Sequence, residues 1–306
     1  MTLVLFLLVP GLHLLDLAGP AQVFSTAADF GLGYRTGYVA EREDVSSAQG
    51  LALRASTEWP ALAAGDLVVV PGWHSSSLSV EVPLCSSTLE RLTAHHAAGG
   101  TVASVCAGAD ALGRAGLLDG RRCTTHHELQ EELAHRYPAT TVVRDVLYVE
   151  DDRVITSAGI ASGIDLALHL LAVRHGPAAA ARVARDMVVY ARRNGDEPQA
   201  SAVLRHRSHL SDSVHRVQDQ IDAGFADRLT LTDLATTAGL SERTLTRRFT
   251  QATGLTPLRY QQELRVERAE HLITQGTTVE AAAREVGFQD ARMLRRLRAR
   301  TVSTAD

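Results

Sequence analysis

Residues 1 to about 190 alternate short apolar runs with segments of helical periodicity. The apolar runs are bounded by Pro, Gly or small residues, as strands buried on both faces are. They lie at residues 3–9, 66–70, 101–105 and 153–156. The helical segments between them include residues 19–30, 84–98 and 161–175. Strands that alternate with helices of this length predict βαβ units, and therefore a parallel sheet covered by helices on both faces.

The pattern changes near Arg192. The segment RRNGDEPQASAVLRHRSHLSDS is polar, contains Gly, Pro and Ser, and shows no period, which is typical of a linker. Everything after it has helical periodicity, with no strand candidate. The sequence therefore predicts an α/β domain over residues 1–193, a linker over 194–211 and an all-α domain over 212–306.

The stretch LTLTDLATTAGLSERTLTRRF in the second domain predicts two short helices joined by a turn. Thr232 can cap the first helix, Gly239 supplies the left-handed residue that ends it, and Ser241 can cap the second. Leu245 and Phe249, four residues apart, form the buried stripe of the second helix. A helix, a glycine turn and a second helix make a helix-turn-helix unit, whose second helix enters the major groove of DNA.

The second helix of this unit has a polar face suited to DNA. With the apolar stripe inward, Arg243, Thr246 and Arg247 lie together on another face. An arginine fork matches O6 and N7 of guanine, and each good bidentate pair gives about 1–3 kcal/mol of discrimination between bases. Arg248 flanks this face and suits a phosphate contact. The alternative is an ordinary solvated helix face, but the caps, the turn and the stripe together favour DNA reading.

A second copy of the unit follows. Thr278 can cap the helix VEAAAREVGF, whose apolar residues recur at helical spacing before a turn at Gly287. Between the copies, a long helix begins at Thr256-Pro257 and ends near Gln275. It spans roughly 28 Å. Such a spacer suits two reading helices in adjacent major grooves, about 34 Å apart.

The second domain resembles the AraC/XylS family of transcription regulators, whose DNA-binding domain has two helix-turn-helix units joined by a long helix. The resemblance is carried by LATTAGLSERTLTRRFTQATGLTPLRYQQELRVERAEHLI and by VEAAAREVGF. It implies double-stranded promoter or operator DNA as the partner. The remaining GFQDARMLRRLRARTVSTAD lacks the aromatic core residue and the closing Gly-x-Ser/Thr-Pro segment that the family usually has.

This departure predicts a truncated second unit with a poorly packed last helix. Arg292, Arg295 and Arg296 are positive enough to contact phosphates there. The alternative is a frayed basic tail. The sequence thus leaves open a degenerate regulator with impaired DNA binding.

In the first domain, VASVCAGADAL places Cys106 between a strand and a helix. This is the arrangement of a nucleophile elbow, and the N–H groups at the helix start predict a lowered pKa for the thiol. Asp16 follows the first strand, and His126 lies in CTTHHEL. All three are expected at the carboxyl edge of the sheet, where parallel folds form their crevice. Gly72 and Trp73 end a strand at the same edge, and Trp73 can line the crevice.

Each of these residues also has a plainer interpretation. Cys106 can be an inert buried thiol, and Asp16 can cap the helix that follows the first strand. Thr125 and Glu128 form a T-x-x-E capping box, which explains the segment around His126 without any ligand.

The first domain resembles the class I glutamine-amidotransferase-like superfamily of PfpI/ThiJ type. The resemblance is carried by LLDLAGPAQVF, VVVPG, VASVCAGADALGRAGLLDGRRCTTHH and VITSAGIASGIDLALHL, which cover nearly all of residues 1–190. It implies a flavodoxin-like parallel sheet sandwiched by helices. It also implies a reactive role for Cys106, aided by the acidic Asp16 and by His126. Ala107 stands where the amidotransferase-like and protease-like members usually have His.

The combination of the two domains is similar to the GlxA-type regulators, whose α/β part is taken to sense a metabolite. Sensing requires different affinities for two states of the protein, not turnover. The sequence therefore predicts a regulator controlled by a small metabolite rather than an enzyme. The expected ligand-binding residues are Asp16, Gly72, Trp73, Cys106, Ala107 and His126. The alternative is a cysteine-dependent hydrolase or hydratase, for which isocyanide hydratases are the nearest comparison.

Composition adds few constraints. The net charge is −4, and all 31 positive side chains are arginine, which a GC-rich genome explains. Cys85, Cys106 and Cys123 are an odd set without CxxC spacing, which predicts neither a disulfide framework nor a zinc site and suggests a reducing cytoplasm. Cys85 and Cys123 are expected to be packing residues. We predict no cofactor, no membrane association and, as is usual for such regulators, a homodimer.

Overall fold

The computed structural model describes residues 1–74, 77–78, 84–189, 193–199, 206–207, 209–274 and 276–302. The chain divides into two compact units, Met1–Gln199 and Ala200–Asp306. The first is α/β and the second is helical, as the sequence predicts.

The predicted linker, residues 194–211, divides between the two units. At its start, the carbonyl of Gly195 accepts the N–H of Leu147 of the first unit at 2.8 Å. At its end, Arg207 forms ion pairs with Asp219 and Asp222 of the second unit, both at 2.6 Å. Residues 200–205 and 208 of this segment lie outside the described residues.

A six-stranded sheet forms the centre of the first unit. Its strands are β1 (Thr2–Leu8), β2 (Tyr34–Ala40), β5 (Leu67–Val70), β6 (Thr101–Val105), β9 (Tyr148–Asp151) and β10 (Val154–Ser157). They lie in the order β2-β1-β5-β6-β10-β9, with β9 antiparallel to β10 and the other pairs parallel. Two small sheets pair β3 (Asp44–Ser46) with β4 (Ala52–Arg54) and β7 (Arg122–Cys123) with β8 (Thr141–Val142).

Four of these strands correspond to the four predicted apolar runs, and every residue of β5, β6 and β10 is buried. The prediction of a flavodoxin-like sheet is therefore confirmed. The sequence pattern missed β2 and β9 at the edges. Such positions do not require a continuous apolar run, and β2 mixes exposed and buried residues.

The helices of the first unit are α1 (Leu14–Asp29), α2 (Ser86–Ala97), α3 (Gly108–Arg114), α4 (Gln130–Arg136), α5 (Ser162–His175) and α6 (Pro177–Asp186). Helix α1 begins five residues before the predicted start at Gly19 and contains Pro20. Gly19 packs closely on α5, since a Cβ there would lie 2.9 Å from Ile164 Cγ1. Of the two cysteines expected in packing positions, Cys123 is buried and Cys85 is exposed.

The helices of the second unit are α7 (Asp212–Ala223), α8 (Leu231–Ala238), α9 (Glu242–Thr253), α10 (Pro257–Thr274), α11 (Val279–Glu285) and α12 (Ala291–Val302). The predicted turn is confirmed: Gly239 has φ 65°, and the Ser241 hydroxyl caps α9. The predicted cap of α8 is wrong. Thr230, not Thr232, accepts the N–H of Asp233 and forms a capping box with it.

Each helix-turn-helix unit has its own apolar core. The first contains Leu234, Leu245, Phe249 and Tyr260, and the second contains Leu272, Ala282, Val286, Phe288, Leu294 and Leu297. Leu294 is fully buried, and Phe288 supplies an aromatic side chain to the second core. The prediction of a poorly packed last helix is therefore wrong. The apolar residues of α12 recur at a spacing that closes this core without the expected terminal segment.

Candidate functional site

The carboxyl ends of four neighbouring strands of the first unit meet around Cys106. Asp16 follows β1, Gly72 follows β5, Cys106 follows β6 and Gly159 follows β10. The strand order reverses between β1 and β5, which is the switch point where open α/β sheets bind ligands. The sequence prediction that Asp16, Gly72 and Cys106 share the carboxyl edge agrees with this topology.

Cys106 occupies a strained and closely packed position. Its φ is 55°, a left-handed value that costs a non-glycine residue energy, and 6% of its surface is exposed. A Cβ on Gly72 would lie 2.6 Å from Cys106 Cβ, and one on Gly159 would lie 2.3 Å from it. The backbone N–H of Cys106 donates to Ser157 O at 2.9 Å. Glycine is therefore required on both sides of the elbow because neither position has room for a side chain.

Asp16 is a buried carboxyl group directed at this elbow. Its Oδ1 accepts the N–H of Ile160 at 2.8 Å, whereas Oδ2 accepts no well-formed hydrogen bond from the described residues. Burial raises the pKa of Asp16 to about 6, against the opposing effect of the nearby Ile160 and Gly72 N–H groups. The side chain does not cap α1, although it stands in the first turn of that helix. The plainer interpretation as a helix cap is thus wrong.

The thiol of Cys106 is held in its neutral form. Burial and, to a smaller extent, the negative charge of Asp16 raise its pKa to about 12, and the hydrogen bond from the Ala107 N–H only partly opposes this. The prediction of a lowered pKa is wrong, because one N–H at the helix start does not offset the loss of water and the adjacent carboxylate. Ala107 itself is buried.

His126 lies at the edge of this site and is partly exposed. Its pKa is lowered by burial and by His127, while Glu128 opposes that change and His13 adds to it. The predicted capping box does not form. The Thr125 hydroxyl instead donates to the carbonyl of Cys106 at 2.8 Å, so this segment is tied to the elbow.

Two histidines near the crevice were missed by sequence reasoning. The centres of the His13 and His74 rings lie 5.8 Å apart, and the backbone N–H of His13 donates to Gly72 O at 2.9 Å. Trp73, which the sequence did predict for this site, directly precedes His74 and is buried. Its Nε1 has no acceptor among the described residues. The position of His13 and His74 just after β1 and β5 was the available signal. Trp73 Nε1 and Asp16 Oδ2 are thus two buried polar atoms at this site whose hydrogen-bonding capacity the described residues leave unused.

The raised pKa of Asp16 predicts a pH-dependent stability. The folded protein favours the protonated carboxyl, so this stabilisation is complete below the unfolded value of 3.8 and is lost as the pH rises through about 6. As the pH rises from below 3.8 to above about 6, the wild type should lose up to about 3 kcal/mol of its free energy of unfolding through this group. The variant Asp16→Asn has no such carboxyl group and should not show this loss. Urea unfolding across this range measures it. Asp29→Asn, at an exposed position of α1, is the control, and a pH-independent difference for Asp16→Asn would contradict the assignment.

The exposed face of α9 forms a second candidate site. Arg243, Arg247 and Arg248 are exposed, and their guanidinium groups form no ion pair with the described residues. Arg243, Thr246 and Arg247 line one shallow concave surface, as the helical spacing predicted. That surface also includes Thr250 and Gln251, which sequence reasoning missed although they continue the spacing by two more steps.

The predicted arginines of α12 are also exposed, but two of them have acidic neighbours. Arg295 pairs with Glu280, and Arg292 lies 3.8 Å from a carboxylate oxygen of Asp290. Arg296 contacts the sulfur of Met293 at 3.2 Å. These weak surface pairs leave the guanidinium groups able to exchange a carboxylate for a phosphate.

Among the described helices, none combines the length and the apolar character needed to cross a membrane.

Comparison with known proteins supports both units. Residues 2–173 match the DJ-1/PfpI family, and residues 234–304 match a helix-turn-helix domain. The chain is 28% identical over 273 residues to the HTH-type transcriptional regulator CdhR of Pseudomonas aeruginosa, which covers 88% of this chain and 80% of that protein. It is 34% identical over 168 residues to the isonitrile hydratase of Pseudomonas putida, covering 54% of this chain and 68% of that protein.

A solved structure extends the comparison to three dimensions. An AraC family transcriptional regulator from Pseudomonas putida has a TM-score of 0.52 and 26% sequence identity, and the match covers 61% of this chain and 100% of that one. The chain is therefore a member of the DJ-1/PfpI family that carries an AraC-type helix-turn-helix domain, the architecture of a DNA-binding transcription regulator.

Proposed function

We propose that this protein binds promoter DNA sequence-specifically and that a small metabolite, bound beside Cys106 and Asp16, controls this binding. The observation that carries the proposal is the exposed arginine face of α9, presented by the second helix of a well-packed helix-turn-helix unit. Arg243, Thr246 and Arg247 contact base edges in the major groove, and Arg248 contacts phosphate.

The second helix-turn-helix unit extends the contact along the duplex. Helix α10 has 18 residues and therefore spans about 27 Å. Through Arg292, Arg295 and Arg296, α12 binds at a neighbouring major groove. A folded second core supports two-groove binding over a degenerate second unit.

The crevice of the first unit suits ligand sensing better than turnover. A nucleophilic cysteine needs a thiolate, and the Cys106 thiol, with a pKa of about 12, supplies little of it near neutral pH. Asp16 Oδ2 and Trp73 Nε1, which make no well-formed hydrogen bond with any described residue, offer one acceptor and one donor to a small polar molecule. Cys106, Ala107 and Gly72 then form the wall of the site, with His126 at its edge.

The chain leaves the first unit close to this site. Gln199 Nε2 donates to the carbonyl of Thr125 at 2.9 Å, next to His126, and Thr125 holds the Cys106 carbonyl. Displacement of residues 125–126 by a ligand therefore reaches the segment that leads to the DNA-binding unit. This contact supports a regulatory role for the crevice.

We also propose that the protein works in the cytoplasm as a homodimer. The apolar side chains of Leu15 and Ile160 are 44% and 39% exposed and lie beside the Asp16 site, where self-association would cover them. A dimer places two copies of the reading helices on the duplex, which suits a repeated or palindromic operator.

The test is titration of fluorescent DNA from upstream of the protein's own gene with the full chain, at several salt concentrations. We expect saturable binding that resists unlabelled non-specific DNA and changes when a ligand is added. Amino acids, amines and quaternary ammonium compounds form the first ligand set. Failure to bind any promoter fragment, together with turnover of a small molecule that depends on Cys106, would overturn the proposal.

A further inference from the structure

The two helix-turn-helix units are joined by a small polar cluster, here called the clamp. It consists of the loop 225–227, which precedes α8, of Gln261 and Arg265 on α10, and of Gly287 in the turn after α11. The two apolar cores are separate clusters, and Phe225 packs against both. The clamp is therefore the place where the first helix-turn-helix unit meets the second.

Arg265 donates to three backbone carbonyls in the clamp. Its Nε donates to Phe225 O at 2.6 Å, Nη2 to Asp227 O at 2.8 Å and Nη1 to Gly287 O at 2.9 Å. The guanidinium carbon also lies 5.6 Å from the centre of the Phe288 ring. One side chain thus connects the loop before the first reading unit to the turn of the second.

The neighbouring residues show that this connection is close and specific. Gln261, one helical turn earlier, donates to Phe225 O at 3.0 Å and Asp227 O at 2.9 Å and so holds the same loop. Both Gln261 bonds go to the loop, whereas Arg265 bonds to the loop and to Gly287. Gly287 has φ 83°, and a Cβ there would lie 2.0 Å from Ala226 O. The second turn is therefore seated directly on the loop.

We propose that Arg265 is a positioning residue that fixes the distance and angle between α9 and α12, so that both helices fit one duplex at once. This inference rests on the proposed DNA-binding function. Arg265 does not need to contact DNA for this role. Its five donors in a planar fork suit three carbonyls that come from the two sides of the clamp, whereas a lysine carries its three donors on a single nitrogen.

The consequence for DNA binding follows from the linkage of two modules. When two modules are held in the bound arrangement, the second binds at a high effective concentration, and overall affinity exceeds that of either module. If the clamp opens, each module keeps its own contacts, but the second no longer meets its groove in the correct orientation. The loss of affinity is therefore expected for DNA that is contacted by both helix-turn-helix units.

The test compares two DNA probes and two substitutions in the full chain. One probe is the promoter fragment that the full chain binds in the titration. The other is the same fragment with a random sequence in place of the bases that α12 contacts. For Arg265→Met and Arg265→Lys we expect a loss of about tenfold or more on the complete site and of less than about twofold on the half-site. Arg268→Met, an exposed arginine on the same helix, is the control, and we expect it to change both affinities by the same factor. Equal losses on the two probes for the Arg265 variants, or no loss, would overturn the proposal.

A second measurement does not depend on DNA. Spin labels at Thr250→Cys on α9 and Arg296→Cys on α12, in a chain with exposed Cys85 replaced by Ser, report the distance between the reading helices. We expect one narrow distance distribution for the parent protein and a broad one for Arg265→Met and for Gly287→Ala. A distribution that stays narrow in both variants would overturn the clamp even if the protein bound DNA. A broadened distribution in the Arg265 and Gly287 variants, together with no DNA binding by the unlabelled wild-type chain, would support the clamp and reject the proposed function.

Discussion

Replacing Arg243 and Arg247 together by alanine is expected to lower the affinity for the promoter site by about thirtyfold or more, since each bidentate arginine–guanine pair contributes about 1–3 kcal/mol. Both side chains are exposed on the concave surface of α9, and neither supports the core formed by Leu245 and Phe249. The fold should therefore survive the change. Fluorescence anisotropy with promoter and non-specific duplexes measures the loss, and circular dichroism checks the fold.

Arg248→Ala is the matched control on the same helix. Because Arg248 is proposed to contact a phosphate, its replacement should weaken binding to specific and non-specific DNA alike. It should also reduce the slope of log affinity against log salt concentration by about one. The Arg243 and Arg247 changes should instead remove the preference for the promoter site. If all three substitutions act alike, α9 binds the backbone only, and the assignment of base-reading residues is wrong.

Iodoacetamide at neutral pH is expected to leave Cys106 almost unmodified while it alkylates Cys85. The pKa of Cys106 is raised from 9.0 to about 12, so it has about a thousandfold less thiolate than an ordinary cysteine, and only thiolate reacts. Cys85 is exposed and serves as the control within the same molecule. Mass spectrometry of proteolytic peptides over time measures both rates.

The variant Asp16→Asn sharpens this experiment. Because the charge of Asp16 raises the pKa of Cys106, its removal should increase the alkylation rate of Cys106 and leave that of Cys85 unchanged. Rapid alkylation of Cys106 in the unaltered protein would instead favour the alternative of a cysteine-dependent hydrolase or hydratase. The alkylation rate of Cys106 thus distinguishes an inert thiol from a catalytic one.

The sequence alone was sufficient for the two-domain architecture and for placing Arg243, Thr246 and Arg247 on one face of α9. Buried parallel strands need continuous apolar runs, and a helix-turn-helix needs a glycine, two caps and an apolar stripe at fixed spacing, so both leave local patterns. The side chains of Arg243, Thr246 and Arg247 share a face because helical geometry is local. The same reasoning brought Asp16, Gly72 and Cys106 to one sheet edge.

The tertiary structure decided what those residues can do. The pKa values of Cys106 and Asp16 depend on their burial and on the groups packed around them. Those groups follow four different strands, so the local sequence does not show how far each side chain is removed from water. The same holds for Thr125, which bonds the elbow rather than capping its own helix, and for Arg265, whose three acceptors lie 22 to 40 residues away along the chain. Spacing along the chain fixes which residues share an element, but only packing between elements fixes the water, charge and hydrogen-bond partners around each side chain.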